Sequence, residues 1–230
     1  MKVEDFNKNL LFYHKLKNRI LGRKSFALNY IDYKLIRYLN FSDGYFVEAG
    51  ANDGKKQSNT LYFEKYHNWR GLLVEPIPHL AKKCKINRPS AIIENCALVS
   101  FNYPKKHIKM RYCDLMSAVK GAMKSEKEEI NHINNGSRIQ NLKTYEIKVP
   151  ASTLNSILAK HLVANIDFLS LDVEGFEAEV LKGIDFERYK PKYMLIESRY
   201  KEEIESIISP LYKEISKLTH HDVLYKLRDL

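Results

Sequence analysis

The sequence predicts an α/β protein whose core is a mostly parallel β-sheet, with helices on both faces and an antiparallel strand added at one edge. Short apolar segments alternate with helical segments along most of the chain. Several of the apolar segments stop at an acidic residue, as strands do where an open α/β sheet meets a ligand. Two final strand-like runs, 212–218 and 223–227, are separated by His220-His221-Asp222, which indicates a hairpin at the sheet edge.

Length and composition favour one domain without a membrane span. The chain has 230 residues, 44% of them hydrophobic, which is enough for a single core. Its three cysteines show no CxxC spacing, which disfavours disulfides and zinc clusters and favours a reducing compartment. No apolar run approaches the roughly 20 residues of a membrane span, and the first residues lack a signal peptide's apolar stretch. We therefore expect a cytoplasmic protein.

The chain divides into an extension and a main domain. Residues 1–40 are predicted to form an N-terminal helical extension, and residues 41–230 the domain that carries the sheet. Asp32 can cap a short helix within the extension, and Ser42-Asp43-Gly44 supplies the turn into the first strand. The extension is the surface that we expect to mediate a homodimer, if one forms.

Within the main domain the elements follow one another in a regular order. Pro76 and Pro78 open a helix, because proline is tolerated in a first helical turn. Residues 120–142 are polar and charged around Asn134-Asn135-Gly136-Ser137, which predicts a mobile loop or lid. Strands are expected from residue 45 and over 71–75, 91–94, 105–112, 145–149, 166–172, 193–197, 212–218 and 223–227, and helices over 61–66, 79–86, 154–162, 176–181 and 201–208.

Acidic residues end four of the predicted strands or begin the turns after them. They are Glu48, Glu75, Asp172 with Glu174, and Glu197. Because ligands bind outside the carboxyl ends of the strands in open α/β sheets, these acids should share one rim. A single acid after a strand is more often a helix cap or a solvated turn. Four of them at one rim indicate a ligand site.

The turn after the first strand indicates what kind of ligand binds there. Gly50 and Gly54 let the backbone approach a ligand closely, but they lack G-x-G-x-x-G spacing and the G-K-[ST] of a phosphate-binding loop. Glu48 and Asp53 would repel a pyrophosphate and suit a positive or zwitterionic group. Glu75, at the end of the second strand, can take both hydroxyls of a ribose. S-adenosylmethionine has both features, since it combines an adenosine ribose with ammonium and sulfonium groups.

Three sequence blocks carry a family resemblance. Val47–Gly54, Val74–Pro78 and Leu171–Glu177 are similar to the signature blocks of the FkbM-type methyltransferases. Ser58-Asn59-Thr60 and Asp222–Tyr225 are similar to one branch of that family. The resemblance runs from about Tyr45 to Lys226 and makes residues 41–230 a methyltransferase catalytic domain. It implies a Rossmann-like, seven-stranded sheet and an enzyme that uses S-adenosylmethionine, mostly to methylate hydroxyl oxygens.

The resemblance also implies roles for individual residues. Glu48, Gly50, Asn52 and Gly54 would line the methionine end of the cofactor, with Asp53 in the same turn. Asp172 and Glu174 would face the transferred methyl group. The complete expected cofactor site is Glu48, Gly50, Asn52, Asp53, Gly54, Glu75 at the ribose, Pro76, Asn95 and Cys96 near the adenine, and Ser117.

Two positions depart from the family pattern. The family often has aspartate where this chain has Glu48, and lysine where this chain has Ser170. The first change keeps a carboxylate. If the family's lysine contacts the acceptor, the second change indicates a different acceptor here.

A general base helps methyl transfer to a sugar hydroxyl, because that hydroxyl is a poor nucleophile. Asp172 is the first candidate for the base and Glu174 the second. The alternative is that Asp172 only orients cofactor or acceptor while Glu174 caps the next helix. Because no histidine shows metal-ligand spacing, we predict no metal centre. A divalent cation held by Asp172, Glu174 and Glu197 is the alternative.

The predicted function is S-adenosylmethionine-dependent O-methylation of a sugar hydroxyl in a glycan, lipid-linked sugar or nucleotide-sugar. The formal net charge of +10 is typical of a solvated basic surface, and the alternative is that it attracts an acidic acceptor. Three alternatives stay open: a nucleic-acid methyltransferase, a non-catalytic binding module on the same fold, and an NAD-dependent oxidoreductase. The charge favours the first of these, but the D/N-P-P-Y/F block of exocyclic-amine methylation is absent, so nucleic acid is the weaker choice of substrate.

Overall fold

The structure is a computed structural model that describes the backbone of residues 3–229 and the side chains of residue 9 and of residues 11–229. Residues 1–2 of the predicted extension and residue 230 of the predicted main domain lie outside the described residues. Eleven strands and eight α-helices follow in the described chain. The strands are β1 Tyr45–Ala49, β2 Arg70–Val74, β3 Ile92–Glu94, β4 Ala97–Leu98, β5 His107–Tyr112, β6 Ala118–Val119, β7 Tyr145–Ser152, β8 Phe168–Leu171, β9 Tyr193–Glu197, β10 Tyr212–Lys217 and β11 Asp222–Leu227.

The helices connect these strands and lie on both sides of the main sheet. They are α1 Val3–Ile20, α2 Ile31–Leu35, α3 Leu61–His67, α4 Pro78–Asn87, α5 Glu126–Gln140, α6 Leu154–Lys160, α7 Glu177–Leu181 and α8 Lys201–Ile208, with short 3₁₀ turns at Leu28–Tyr30 and Asp114–Met116. Among the described residues, no helix combines the length and the apolar composition that crossing a bilayer would require.

The main sheet has seven strands in the order β10-β11-β9-β8-β1-β2-β3. The strands from β9 to β3 are parallel, and β11 runs antiparallel to both of its neighbours. The predicted seven-stranded, mostly parallel sheet is therefore confirmed. The antiparallel strand lies one place in from the edge, because the final hairpin folds back and inserts β11 between β9 and β10.

Each face of this sheet buries its own apolar core. On one face, Val47 and Leu169 pack with residues of α6, α7 and α8, and on the other, Phe46 and Phe168 pack with residues of α2 and α3. The alternation along β1 and β8 explains the division, since successive side chains of a strand point to opposite faces. Several residues between 31 and 39 are fully buried in the second core. That part of the predicted extension therefore belongs to the main domain.

A second, four-stranded sheet in the order β4-β7-β5-β6 borders the main one. It contains the inserted strands that the sequence predicted around 105–112 and 145–149. Its buried side chains, among them Ile108, Met110 and Val149, form a third core together with residues of α4. This sheet forms a side wall beyond the carboxyl ends of β2 and β3.

Residues 126–140 form helix α5, so the loop predicted over 120–142 is wrong, while the predicted role as a lid stays a prediction. Ser125 caps it by accepting the backbone N–H of Glu128, and Asn141 ends it in a left-handed conformation. Gly136 is not a turn residue. It lets α5 approach the sulfur atoms of Cys113 and Met116, which would lie 2.7 and 2.8 Å from a Cβ at this position.

Candidate active site

A cavity of about 380 Å³ opens at the carboxyl ends of β1, β2, β8 and β9. The strand ends bring together acids that are far apart in sequence, as the sequence predicted for this rim. The volume suits a small-molecule cofactor with part of a second ligand. Its wall includes Leu28, Asn29, Glu48, Gly50, Asn52, Lys56, Gln57, Glu75, Pro76, Cys96, Leu98, Met110, Asp114, Met116, Ser117, Asp172, Glu174, Glu197, His221 and Asp222.

The glycine turn after β1 is held against the neighbouring strands. The backbone N–H groups of Gly50 and Ala51 donate to the carbonyl of Val74 at the end of β2. Gly50 has a φ of +82°, and a Cβ there would lie 1.8 Å from the backbone carbonyl oxygen of Asp172. Only glycine fits this position, which brings the turn into direct contact with the residue that follows β8.

Glu75 lines the cavity directly after β2, where the sequence predicted a ribose contact. Its carboxylate is buried and accepts the backbone N–H groups of Asn52 and Ile77, both at 2.8 Å. Burial raises the pKa of Glu75 to about 8, although the two N–H donors oppose the shift. The oxygens retain further acceptor capacity, which ribose hydroxyls can use.

Beyond Glu75, a polar network joins the glycine turn to the short 3₁₀ turn at Asp114–Met116. The side-chain amide of Asn52 donates to Asp114 at 2.9 Å, and the Lys56 ammonium pairs with the other oxygen of Asp114 at 2.7 Å. Burial alone would raise the pKa of Asp114. The pKa nevertheless lies below its usual range, because the Lys56 ammonium and, to a smaller extent, the Asn52 amide favour the ionised form. Ser117 closes the turn by accepting the N–H of Cys113 and donating to the Asp114 carbonyl.

Glu48 lies at the cavity, but its carboxylate is already engaged within the protein. It accepts the Ser58 hydroxyl, the Asn59 backbone N–H and the Thr60 hydroxyl at 2.6–2.8 Å. The buried Arg88 guanidinium lies 3.6 Å away. These contacts favour a structural role for Glu48, in holding residues 58–60 beneath the glycine turn, over direct contact with the cofactor.

Arg88 is fully buried, although it follows the basic residues Lys82, Lys83 and Lys85 in the sequence. It pairs with Glu64 at 2.7 Å and donates to the Gly54 carbonyl and to the hydroxyls of Ser58 and Thr60. The guanidinium can satisfy five donors in a fixed fork, which suits the centre of such a network. It therefore joins α3, α4 and the glycine turn.

Three residues of the predicted cofactor site are not among the residues that line the cavity. Asp53 accepts the backbone N–H groups of Lys55 and Lys56, so it stabilises the turn. Gly54 packs against α4, where a Cβ would lie 3.0 Å from the Arg88 side chain. Asn95 donates to the carbonyls of Glu75 and Pro76 and braces that loop from behind. Through these contacts all three residues support segments that line the cavity.

The opposite part of the cavity contains a cluster of carboxyl groups. Asp172 faces the open cavity, and its enclosure by protein raises its pKa well above the usual range, with the charges of Glu197 and Asp222 adding to the rise. Burial also raises the pKa of Glu197 and of Glu177, each to about 7. Like charges at such short range cannot all ionise, so the cluster holds shared protons near neutral pH.

Glu174 takes part in this cluster and contacts helix α5. Its backbone φ is +57°, in the left-handed region. The pKa of Glu174 is raised by burial and by the Asp172 and Glu197 charges. Its carboxylate lies 3.3 Å from His132 Nε2 and 3.3 Å from the Arg199 guanidinium. Burial and the Arg199 charge lower the pKa of His132, so the imidazole is neutral at pH 7.

Asp172, Glu177 and Glu197 each have a carboxylate oxygen within 4.8 Å of the other two. Three hard oxygen donors are what Mg²⁺ or Ca²⁺ would need from the protein. The predicted alternative cation site named Glu174 in place of Glu177. In the structure Glu177 takes the place of Glu174 in this group of acids. One of its carboxylate oxygens accepts the backbone N–H groups of Val173 and Gly175.

Several residues of the cavity were not predicted from the sequence. Asp114 and Met116 reach it through the second sheet, which the sequence did not relate to the rim. His221 and Asp222 come from the final hairpin, and the resemblance of Asp222–Tyr225 to the family was the available signal. Leu28 and Asn29 come from the N-terminal segment and gave no signal.

The seven-stranded sheet, the glycine turn after β1 and the buried acid after β2 are the features that the sequence predicted for an S-adenosylmethionine-dependent methyltransferase. The family model described as "Methyltransferase FkbM domain" matches residues 48–229. The chain therefore belongs to the FkbM methyltransferase family, and S-adenosylmethionine is its cofactor.

Solved structures give weaker likenesses. The FkbM methyltransferase of Methylobacillus flagellatus aligns with 15% identity and a TM-score of 0.49 over 83% of this chain and 45% of that one. This chain thus spans less than half of that protein. A TehB-like SAM-dependent methyltransferase of Corynebacterium glutamicum aligns with 9% identity and a TM-score of 0.45 over 98% and 100% of the two chains. No curated protein sequence matches the chain.

Proposed function

We propose that the chain is an O-methyltransferase that acts on a hydroxyl of a sugar in a glycan, a lipid-linked sugar or a nucleotide-sugar. The observation that carries the proposal is the contact between the glycine turn and Asp172. Because a Cβ on Gly50 would overlap the Asp172 carbonyl, the cofactor turn and the candidate base are immediate neighbours. A hydroxyl placed beside the Asp172 carboxyl would also be close to the reactive end of the cofactor.

The residues of the cavity fit S-adenosylmethionine. Glu75, with its remaining acceptor capacity, would hold the ribose, and the Gly50 turn would receive the methionine end. Pro76, Cys96 and Ser117 also line the cavity, and the adenine would lie against them. The acidic wall also suits a cation, because a positive charge would relieve the repulsion among its carboxyl groups.

S-adenosylmethionine, when bound, supplies an activated methyl group on a positively charged sulfur that leaves as a neutral thioether. Asp172 would take the proton of the acceptor hydroxyl as the oxygen bonds to the methyl carbon. Burial and the neighbouring carboxylates raise the pKa of Asp172 well above its usual range, which disfavours its ionised form when no cation is near. A positive charge in the cavity lowers the pKa of a carboxyl group and so favours the ionised form that can act as a base. Glu197, which shares the same protons, would pass the proton onward.

The acceptor would enter on the side formed by Leu28, Asn29, Gln57 and His221. Polar groups there suit sugar hydroxyls, and Lys56 at the same wall suits an acidic acceptor. Ser170 stands where the family often has lysine, and its hydroxyl accepts the side-chain amide of Asn59 at 3.1 Å. The position is buried and neutral, which supports a different acceptor from relatives that have the lysine.

We also propose that the protein works in the cytoplasm. Cys84, Cys96 and Cys113 are free and buried. Burial raises the pKa of each thiol, that of Cys113 to about 11, so the reactive thiolate is rare. This suits a reducing compartment, where no disulfide is required.

The test is to incubate the protein with methyl-labelled S-adenosylmethionine and fractionated pools of glycans, lipid-linked sugars, nucleotide-sugars and RNA. We expect label in a sugar fraction that base treatment does not release, since methyl ethers resist it and methyl esters do not. Asp172→Asn should lose the label, whereas the exposed Glu187→Gln should keep it. Label in RNA would favour the nucleic-acid alternative, and binding of the cofactor without label in any pool would favour a binding module.

A further inference from the structure

Helix α1 presents an apolar stripe to solvent. The stripe consists of Phe12, Tyr13, Leu16 and Ile20, whose side chains are between 49% and 77% exposed. Phe12, Leu16 and Ile20 are spaced four residues apart, so they lie on one face of the helix, with Tyr13 beside them. Such a contiguous exposed apolar surface indicates an interaction site.

The opposite face of α1 fastens the helix to the main domain. Asn18 is buried and accepts the hydroxyl of Tyr62 at 2.6 Å, and Leu11 packs against the core that contains Tyr62 and Phe63. The stripe therefore belongs to a helix that is anchored through its other face.

The charges around the stripe identify the kind of partner. Between residues 9 and 31 the sequence has no aspartate or glutamate and five basic residues, Lys15, Lys17, Arg19, Arg23 and Lys24. At 100° per residue, Arg19 and Lys17 lie on opposite sides of the stripe. An apolar stripe bordered by basic side chains is the pattern of a helix that lies in the interface of an anionic bilayer. A second copy of this chain would bring two basic faces together, which is unfavourable.

The stripe adjoins the mouth of the cavity. The Lys15 ammonium lies 3.6 Å from the centre of the Tyr30 ring. Tyr30 is 45% exposed, and two residues before it Leu28 is 53% exposed and lines the cavity. Asn29 and Tyr30 have φ values of 51° and 56°, and Asp32 fixes this segment by accepting the N–H groups of Phe26 and Ala27. A membrane that contacts α1 would thus lie beside the acceptor entrance.

We propose that the apolar stripe of α1 docks onto an anionic lipid bilayer, with its basic border contacting lipid headgroups. The proposal does not depend on methyl transfer, because binding can be measured without cofactor or acceptor. If the proposed function also holds, docking would bring the cavity to acceptors that are carried on lipids.

The test is flotation of the full chain with vesicles of phosphatidylglycerol and phosphatidylethanolamine, compared with vesicles of phosphatidylcholine alone. We expect at least about tenfold stronger partitioning to the anionic vesicles, weakened by salt. The triple variant Phe12→Ser, Leu16→Ser, Ile20→Ser should lose about tenfold or more of this binding. Its matched control is Ile86→Ser, which changes an apolar side chain that is 78% exposed on α4 and should retain binding within about twofold.

Charge variants keep the test decisive if the serine variant disturbs α1. Lys17→Glu with Arg19→Glu should weaken binding to anionic vesicles by about tenfold or more and leave circular dichroism unchanged. Lys213→Glu, an exposed position on β10, is the control. Equal binding to neutral and anionic vesicles would overturn the proposal. If the protein does not bind vesicles, two other results would also overturn the proposal. One is a dimer in sedimentation that the serine variant converts to a monomer, and the other is retention of the protein by RNA.

Discussion

The Glu75→Gln variant tests two effects of this side chain separately: the free-energy cost of burying an acid and its proposed part in binding the cofactor. The substitution keeps the size of the side chain and removes its ionisable group. The pKa of Glu75 rises from 4.5 to about 8 on folding because of burial. The folded protein therefore holds this proton more tightly than the unfolded chain does. The stabilising contribution is complete below about pH 4.5 and is lost as the pH rises through about 8.

The magnitude follows from the pKa. At 1.36 kcal/mol per pKa unit, the rise to about 8 corresponds to about 5 kcal/mol of stability lost across this range. Glutamine does not titrate, but its single carbonyl oxygen can accept from Asn52 or Ile77 and not from both. The N–H left without a partner costs about 1–3 kcal/mol at every pH. We expect the variant to be less stable than wild type at pH 4.5 and more stable by about 2–4 kcal/mol at pH 8.5.

Urea denaturation followed by the fluorescence of Trp69 measures this crossing, since Trp69 is the single tryptophan and is buried. The exposed Glu187→Gln is the control and should show a difference from wild type that does not change with pH. Calorimetry with S-adenosylmethionine should show affinity about 10- to 100-fold weaker for Glu75→Gln, because the amide offers one acceptor oxygen in place of two. A stability difference that is the same at all pH values, together with unchanged affinity, would refute both roles of Glu75.

Four further predictions concern the same site. Asp172→Asn should lower turnover by about 10²- to 10⁴-fold while cofactor affinity stays within a few-fold, and near-normal turnover would remove Asp172 as the base. Gly50→Ala should lower the free energy of unfolding by about 2–5 kcal/mol, whereas Gly121→Ala, with a similar φ and open space around it, should lose only about 1–2 kcal/mol, as urea denaturation can show. Arg88→Met should cost about 3–5 kcal/mol in the same assay, since it leaves Glu48 without its buried cation, and a neutral result would contradict the proposed network. Chelation of divalent cations should leave turnover unchanged, because shared protons can neutralise the acids around Asp172, and a loss restored by Mg²⁺ would instead establish a cation there.

The fold was largely predictable from the sequence because its strands are short, apolar and separated by clear turns. The same alternation also contained information about Glu48 that the motif resemblance hid. Side chains two apart on a strand share a face, so Glu48 lies on the same side of β1 as Phe46. Arg88 lies over the Phe46 ring at 5.1 Å on that side. The pattern of β1 therefore puts Glu48 on the Phe46 face, and the position of Arg88 on that face makes it part of the network.

Other features depended on contacts that the local sequence does not contain. Helix α5 looks like a loop because its buried face consists largely of Glu129, His132 and Gly136. Glu129 is acceptable there because the Arg111 guanidinium pairs with it at 2.7 Å from another element. Arg111 comes from β5 of the second sheet, so the partner could be identified only after that sheet had been placed.

The distribution of charge restricts how an acceptor can enter. The chain carries a net charge of +10, yet the cavity around Asp172 is lined by carboxyl groups. Because charges in solution are screened over about 8 Å at physiological salt, an approaching ligand responds to the basic surface first and to the acids only inside the cavity. An anionic group would be attracted to the basic surface outside the cavity and repelled by ionised acids in the interior. Under the proposed O-methylation, the hydroxyl that reaches Asp172 would therefore belong to an uncharged part of the acceptor, with any phosphate or carboxylate held at the rim. A sugar joined to a distant phosphate meets this requirement, whereas a sugar that carries the phosphate next to the reacting hydroxyl does not.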